Sequence, residues 1–183
     1  MEIKHNARLS PEYVLLGFLF RQPGYGYELH KHLGDEFGFI WHVSQSQTYN
    51  ILNRLVNQGY VSSEFIDQEN IPPRHFLHIT PSGVERFKLW LETPTSCSVH
   101  AIRVEFLTRL YFIQLYHPEL IEQTIQQQVS EVTRGLERLN AQRRSLPENQ
   151  LFNHLALELR IQLLNSIINW LGECRIKLPA SQQ

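Results

Sequence analysis

Amide side chains in one stretch of the chain are the clearest candidates for molecular recognition. A glutamine or asparagine amide both donates and accepts hydrogen bonds, which suits the N6 and N7 edge of adenine, whereas an arginine suits guanine or a phosphate. On a helix these side chains share one face, which contains no acidic residue. An ordinary solvated helix face is the alternative interpretation. The members of this amide face are Gln45, Gln47, Asn50, Asn53, Arg54 and Asn57.

The helix that carries the amide face has sequence signals at both of its ends. Ser44 and Gln47 match a capping box, in which the serine hydroxyl accepts from a backbone amide and the glutamine bonds back to the serine. Gly59 fits the left-handed residue that follows many helices. The inward positions of this helix are predicted to be Thr48, Ile51, Leu52, Leu55 and Val56.

A predicted β-hairpin follows the amide helix and carries the second group of candidate contacts. Residues 60–66 and 74–79 are rich in β-branched and aromatic side chains, and a polar tip at 67–73 separates them. At the tip of a hairpin that touches DNA, Arg74 and His75 are the available cations, whereas Asp67 and Glu69 would repel phosphates. A plain hairpin loop is the alternative interpretation.

The surrounding elements predict a winged helix-turn-helix. Ser10 as N-cap and Pro11 at the first helical position begin a helix whose apolar run, residues 13–20, must be buried on every side. A second helix is predicted over 27–36, and Thr80–Pro81 begins another after the hairpin. In such a fold the third helix enters the major groove. Base contacts are then expected from Gln45, Gln47, Asn50 and Asn53, and backbone contacts from Tyr49, Arg54, Arg74 and His75.

The second half of the sequence predicts a separate helical domain that makes a dimer. The linker-like residues 93–98 place the boundary between domains 1–93 and 94–183. Apolar residues stepping by four and three form a heptad seam, and the last helix has two apolar stripes, which need two partners. The fold class is therefore mainly α with a small β-hairpin. The predicted dimer interface contains Ile125, Val129, Val132, Leu136, Leu139, Leu163 and Ile167.

Composition excludes several classes of protein. The 183 residues are 42% hydrophobic with a net charge of −1, and no run approaches the about 20 apolar residues that span a bilayer. Two cysteines and the absence of a signal-like apolar start favour a cytoplasmic protein without membrane partners. Residues 1–92 contain 8 Lys and Arg against 10 Asp and Glu, so DNA binding requires a local patch.

Motifs for catalysis, metals and cofactors are weak in this sequence. Gly24-Tyr25-Gly26 lacks the preceding strand and the third glycine of a dinucleotide-binding loop. Cys97 and His100 supply half of a zinc spacing without a second pair in range. No local signature marks a catalytic triad. We therefore expect no enzyme activity, no cofactor and no metal.

Taken together, these motifs resemble those of the PadR family of bacterial transcription regulators over nearly the whole length of the sequence. Leu15-Leu16-Gly17-Phe18-Leu19 with Gly26-Tyr27-Glu28-Leu29 is similar to the first two helices of the family, and residues 46–55 with 59–61 to its recognition helix. Residues 73–83 are similar to the wing and its exit. Residues 103–107 with Trp170-Leu171 resemble the C-terminal helices of the virulence-activator subgroup. The family often has Lys where His75 stands and Tyr where Leu77 stands.

The resemblance implies a homodimer on a roughly palindromic operator, most often as a repressor, which small aromatic molecules release in some members. Such an effector site is expected where the first helix meets the C-terminal helices, because both carry more apolar surface than one partner can cover. Its candidate walls are Tyr13, Phe18, Trp170 and Cys174, of which the aromatic rings suit a flat ligand. The alternative is that these residues simply close the core. The rival function is a winged-helix protein-interaction module without DNA binding, which a salt-dependent DNA shift would distinguish.

Overall fold

Helix α1 (Glu12–Arg21) is the centre of the N-terminal part of the chain. Its side chains from Val14 to Leu19 are at most 2% exposed. They pack against α2 (Gly26–Phe37), α3 (Gln45–Asn57) and α4 (Pro81–Glu92). The prediction of a helix buried on every side is confirmed.

The first cap predicted from sequence is wrong by one residue. Pro11 is the N-cap of α1, and its carbonyl accepts a hydrogen bond from the Val14 amide at 3.0 Å. No side chain caps this helix, and the Ser10 hydroxyl instead accepts from Arg54 at 3.4 Å. Ser10 therefore serves a tertiary contact to α3 and not the start of α1.

The computed structural model describes residues 10–68 and 71–178, with the backbone alone at 66–68 and 71–74. It divides into two units, Met1–Thr93 and Pro94–Gln183. No helix in the described part of the chain is long and apolar enough to cross a membrane.

A three-stranded antiparallel sheet with the order β1-β3-β2 completes the N-terminal unit. Its strands are β1 (Gly24–Tyr25), β2 (Val61–Gln68) and β3 (Ile71–Ile79). The sequence predicts the β2–β3 hairpin, here called the wing, but treats 22–26 as a turn and so misses β1. The predicted polar tip over 67–73 is wrong in length, because both strands extend into it past an irregularity between Ile66 and Gln68.

The caps predicted around α3 and α4 are confirmed. The Gln47 amide donates to the Ser44 hydroxyl at 3.2 Å, and the Ser44 amide donates to Oε1 of Gln47 at 2.8 Å. Gly59 has φ of +76°, the left-handed conformation that ends α3. The Gly83 amide donates to the Thr80 hydroxyl at 3.1 Å at the start of α4. Three helices, a hairpin and a fourth helix form a winged helix-turn-helix.

The C-terminal unit is helical, as the sequence predicts. A short α5 (Val99–Ala101) continues through a π-helical turn (Ile102–Phe106) into α6 (Leu107–Tyr116), and a 3₁₀ turn follows at Pro118–Leu120. Two long helices, α7 (Ile121–Ser145) and α8 (Leu151–Lys177), pack against each other.

Arg109 is the largest fully buried side chain of this unit and is 1% exposed. It donates to the Glu105 carboxylate at 2.8 Å and to the Thr95 hydroxyl. The Gln128 amide donates to the Thr95 carbonyl at 3.1 Å. These hydrogen bonds attach the segment that follows the domain boundary to α6 and α7.

Candidate nucleic-acid interface

The outward side of α3 is an uninterrupted polar surface. Thr48, Ile51, Leu52 and Leu55 are buried against the rest of the unit, as predicted, and the opposite side is free of acidic residues. An exposed helix side of this kind can enter a groove without displacing core contacts. The exposed members of the amide face are Gln45, Gln47, Asn50, Asn53, Arg54 and Asn57.

The sequence predicts two roles for the Gln47 side chain, one in the capping box and one in base contact. Its Oε1 accepts the Ser44 amide, so the acceptor half of the side chain is committed to the capping box. The Nε2 donor is the half that the cap does not use. Asn50 and Asn53 lie outside the cap, so both halves of their amides can pair with a base edge.

Tyr49 is positioned by a glycine on the neighbouring helix. A Cβ atom at Gly26 would lie 2.8 Å from Cε1 of the Tyr49 ring, closer than real Cβ contacts allow. Glycine at position 26 therefore lets the ring lie directly on the start of α2. The Tyr49 side chain remains 39% exposed, which leaves its outer part available for the backbone contact that we predict.

Arg54 is an ion-pair partner as well as a member of the amide face. Its Nη2 lies 2.9 Å from Oε2 of Glu12, and the other oxygen of the same carboxylate binds Arg86. Burial alone would lower the pKa of Arg86, but a hydrogen bond with Tyr13 and the charge of Glu12 raise it above its ordinary value. The Arg86 guanidinium also lies 4.3 Å from the centre of the Tyr60 ring.

The wing places His75 on the same face of the sheet as Ser63. The hydroxyl of Ser63 lies 2.7 Å from Nδ1 of His75, and the imidazole packs on Phe65 at 4.1 Å between ring centres. Arg74 lies in β3 opposite Ile66, but its side chain falls outside the part that the structure describes. Its phosphate contact stays a prediction.

Glu12 is the residue of this region that sequence reasoning missed. It lies 42 residues before Arg54 and 74 residues before Arg86, and no local pattern connects them. From the sequence alone, an acid in the first turn of α1 needs no partner, because a negative charge there interacts favourably with the helix dipole. The partnership follows only from the packing of α1 against α3 and α4.

The residues of the predicted effector site lie in different units. Tyr13 stacks on Trp90 at 4.6 Å, and Phe18 is buried beside Phe37. Trp170 makes an edge contact with Phe106 at 6.3 Å, and Cys174 is buried, which raises the pKa of its thiol. Each therefore has a packing role within its own unit, and the effector site stays a prediction.

Most of the predicted dimer seam is already covered within the chain. Among the α7 residues of the predicted seam, Val129 is the most exposed, and it is half-buried. On α8, Leu163 is 40% exposed and Ile167 is half-buried, and Leu155 and Leu159 extend this side as an exposed apolar stripe. Because a residue buried by its own chain cannot touch a second copy, we move the proposed interface to this α8 stripe. The seam residues buried by α8 and the rest of the unit are Ile125, Val132, Leu136 and Leu139.

The described residues contain no group of three His, Cys, Asp or Glu side chains that could hold a metal ion.

The fold and the exposed face of α3 define a class of DNA-binding proteins, the winged helix-turn-helix.

Comparisons with known proteins identify the family. Residues 15–89 match the transcriptional regulator PadR-like family, and residues 102–178 match the virulence activator alpha C-terminal family. The chain therefore combines a PadR-like transcriptional regulator domain with a virulence activator alpha C-terminal domain, and the two matches together span most of its length.

Individual relatives are distant from this chain. The negative transcriptional regulator PadR of Bacillus subtilis is 23% identical over 171 residues, which cover 87% of this chain and 92% of the relative. A probable transcriptional regulator of Mycobacterium tuberculosis is 26% identical over 84 residues, 46% of this chain and 44% of the relative. The crystal structure of Bacillus subtilis PadR in complex with operator DNA aligns at 20% identity with a TM-score of 0.46, over 91% of this chain and 98% of that chain.

Proposed function

We propose that the protein is a dimeric, sequence-specific regulator that binds double-stranded DNA in the cytoplasm and represses transcription. The observation that carries the proposal is the exposed amide face of α3, which contains no acid and is fixed at its start by the Ser44 capping box. Its side chains combine donors and acceptors in the way that base edges require.

Within this proposal, the side chains divide into two groups by role. Gln45, Gln47, Asn50 and Asn53 approach bases in the major groove. The phosphate backbone is contacted by Tyr49, Arg54, Arg74 and His75. Few of these groups are cationic, so we expect a shallow salt dependence of binding compared with lysine-rich regulators.

Dimerisation is supported by the apolar stripe on α8. Leu155 and Leu159 are 51% and 56% exposed in the protomer. Exposed leucine side chains that align on one side of a helix form an apolar patch, and such patches are typical of interaction surfaces. A two-fold dimer through this stripe would cover it. Such symmetry would be matched by a roughly palindromic operator whose half-sites are about one helical turn, or a multiple of it, apart.

The repressor assignment is supported by the Bacillus subtilis relative, which is named as a negative regulator. Release by a small aromatic compound is the further part of the proposal, and Trp170 is the residue that tests it. A Trp170→Phe variant keeps most of the side-chain volume, so it should bind DNA normally and lose potency toward a releasing compound. Unchanged potency would place the effector elsewhere.

The test of DNA recognition is selection of bound fragments from random double-stranded DNA, followed by titration of the selected site. Asn50→Ala should weaken binding to that site by about 1–3 kcal/mol, or about 5- to 150-fold, and relax discrimination at one position. Asn169→Ala, an exposed asparagine of α8, is the control and should bind normally. Failure to select any sequence, with no salt-dependent binding, would favour the protein-interaction module.

A further inference from the structure

The contact between α2 and the first turn of α3 contains a hydrogen bond to a fully buried hydroxyl. Thr48 of α3 is 0% exposed, and its Oγ1 lies 3.0 Å from Nδ1 of His30, a half-buried residue of α2. The same Oγ1 lies 3.2 Å from the backbone carbonyl oxygen of Ser44, the N-cap of α3. The Thr48 hydroxyl therefore connects α2 to the residue at which α3 begins.

These two distances determine which group donates to which. A threonine hydroxyl has one proton and can also accept. If that proton pointed to His30, the Thr48 and Ser44 oxygens would lie 3.2 Å apart with no proton between them. If Thr48 instead donates to the Ser44 carbonyl, it can accept from His30, and both hydrogen bonds form. His30 must then carry a proton on Nδ1.

A close approach of the two helices lies one turn away from this hydrogen bond. Gly26 and His30 are four residues apart and therefore lie on the same side of α2. A Cβ atom at Gly26 would lie 2.8 Å from Cε1 of the Tyr49 ring, so the glycine lets α3 lie directly against α2. The consecutive residues Thr48 and Tyr49 thus contact consecutive turns of α2, the first through a hydrogen bond and the second through its ring.

We propose that His30 is a positioning residue that fixes the first turn of α3 for base contact. The proposal rests on the proposed function, in which Gln45 and Gln47 of that turn approach bases. Apolar packing between helices is not directional, whereas a hydrogen bond requires a particular distance and angle. Without the His30 bond the first turn can shift against α2. Hydrogen bonds to base edges depend on this alignment, whereas the attraction to phosphates is independent of sequence.

The first experiment determines the position of the proton on His30 in the protein without DNA. Long-range proton–nitrogen NMR spectra at about pH 8.5, where an ordinary histidine is neutral, distinguish a protonated ring nitrogen from an unprotonated one. We expect a proton on Nδ1 of His30 and none on Nε2. Thr48→Val removes the acceptor, so His30 should then show a mixture of both forms, as the exposed His100 does. A proton on Nε2 alone in the unaltered protein would overturn the proposed hydrogen bond.

The second experiment compares binding to the site selected from random DNA with binding to an unrelated fragment. His30→Leu should weaken binding to the selected site about three- to tenfold, which corresponds to one net hydrogen bond, and leave the unrelated fragment and the salt slope unchanged. His30→Asn should restore most of this loss, because its Nδ2 can donate from about the position of Nδ1. His100→Leu is the control and should bind normally. Equal weakening on both DNAs would refute a positioning role.

A double-variant cycle separates positioning from direct contact with DNA. Thr48 is fully buried and cannot touch DNA, so Thr48→Val should weaken binding to the selected site as much as His30→Leu does. The double variant should bind no more weakly than either single variant, because both remove the same bond. Thr48→Ser keeps the hydroxyl and should bind normally. If Thr48→Val leaves binding unchanged while His30→Leu weakens it, His30 contacts DNA itself and the proposal is wrong.

The selection experiment distinguishes this inference from the proposed function. If no DNA sequence is selected, the proposed function fails, and the position of the His30 proton alone decides the bond between α2 and α3. If a sequence is selected and neither His30→Leu nor Thr48→Val changes the affinity for it, DNA binding stands and the positioning role of His30 fails.

Discussion

At the scale of single residues, Glu12 controls how much positive charge α3 presents. Its carboxylate, which is 13% exposed, holds Arg54 at 2.9 Å and also binds Arg86. A carboxylate shared by two guanidiniums removes much of the field that Arg54 would otherwise direct toward a phosphate. The amide face is therefore more nearly neutral than its sequence suggests, and in the DNA complex that we propose this neutrality would favour discrimination between bases over general affinity.

Replacing Glu12 tests this balance. Glu12→Gln should release Arg54 and steepen the salt dependence of DNA binding, so that the slope of log K against log salt grows by about 0.9 per subunit. The same change should lower the free energy of unfolding by about 1–3 kcal/mol, because both guanidiniums lose a charged partner. Titration at four salt concentrations and urea unfolding are the measurements.

Glu36→Gln is the matched control for that experiment. Glu36 lies on α2 and pairs with Arg21 of α1 and His32 of α2, so the variant changes the net charge equally without touching α3. If Glu36→Gln steepens the salt slope as much as Glu12→Gln does, the effect comes from net charge and the role of Glu12 is wrong.

At the scale of elements, the strands of the wing are longer than its polar sequence indicates. The prolines and charges at 67–73 favour a loop, yet β2 and β3 pair from Val61↔Ile79 to Gln68↔Ile71. Cross-strand pairs such as Phe65 with His75 stabilise the hairpin where single-residue propensities do not.

Because we propose that Arg74 in the wing contacts a phosphate, we expect its loss to affect all DNA sequences equally. Arg74→Ala should weaken binding to all DNA sequences alike and reduce the salt slope by about 1 per subunit, as the loss of a phosphate contact does. Competition titrations against the selected site and an unrelated fragment measure both quantities. Selective loss of one base preference would show that Arg74 reads sequence.

The prediction for the C-terminal unit concerns the buried side chain of Arg109. Arg109→Met should lower the free energy of unfolding by about 3–5 kcal/mol, because the variant removes a buried guanidinium that is paired with the part-buried Glu105 carboxylate. Arg103→Met, in the preceding π-helical turn and exposed, should change stability little. Urea unfolding followed by circular dichroism measures both variants, and the double variant Arg109→Met with Glu105→Gln should recover part of the loss. Equal midpoints for the two single variants would contradict a role for the buried pair.

At the scale of the whole molecule, the α8 stripe decides the oligomeric state that we propose. Leu159→Asp should convert the dimer to a monomer of one 21.6 kDa chain without unfolding it, because this leucine is already 56% exposed within the protomer. Light scattering after size-exclusion chromatography measures the mass. Binding to an operator with two half-sites should weaken, whereas binding to one half-site should not.

Asn165→Asp provides the control for the dimer experiment, since it adds the same charge to an exposed position of α8 away from the stripe. It should remain a dimer. A monomeric mass for the unaltered protein at micromolar concentration would remove the proposal of a dimer, and dissociation of both variants would show that charge alone is responsible.

The sequence by itself determined the features that depend on neighbouring residues. The capping box at Ser44, the left-handed Gly59 and the Thr80 cap are local hydrogen bonds or backbone preferences, and the structure contains all three. The order of helices and hairpin, and the exposed amide side of α3, follow from periodicity in the same way. These features are enough to define a winged helix-turn-helix and its candidate DNA-binding face.

Only the tertiary structure decided which partner each longer-range side chain takes. Ser10 and Glu12 bind Arg54 across more than 40 residues, β1 exists because β3 pairs with it, and α8 covers the α7 seam and exposes its own leucines. A heptad seam states that an apolar surface must be covered, but the same hydrophobic free energy is gained against a helix of its own chain or of a second copy. The choice depends on chain connectivity and packing, which no local pattern contains.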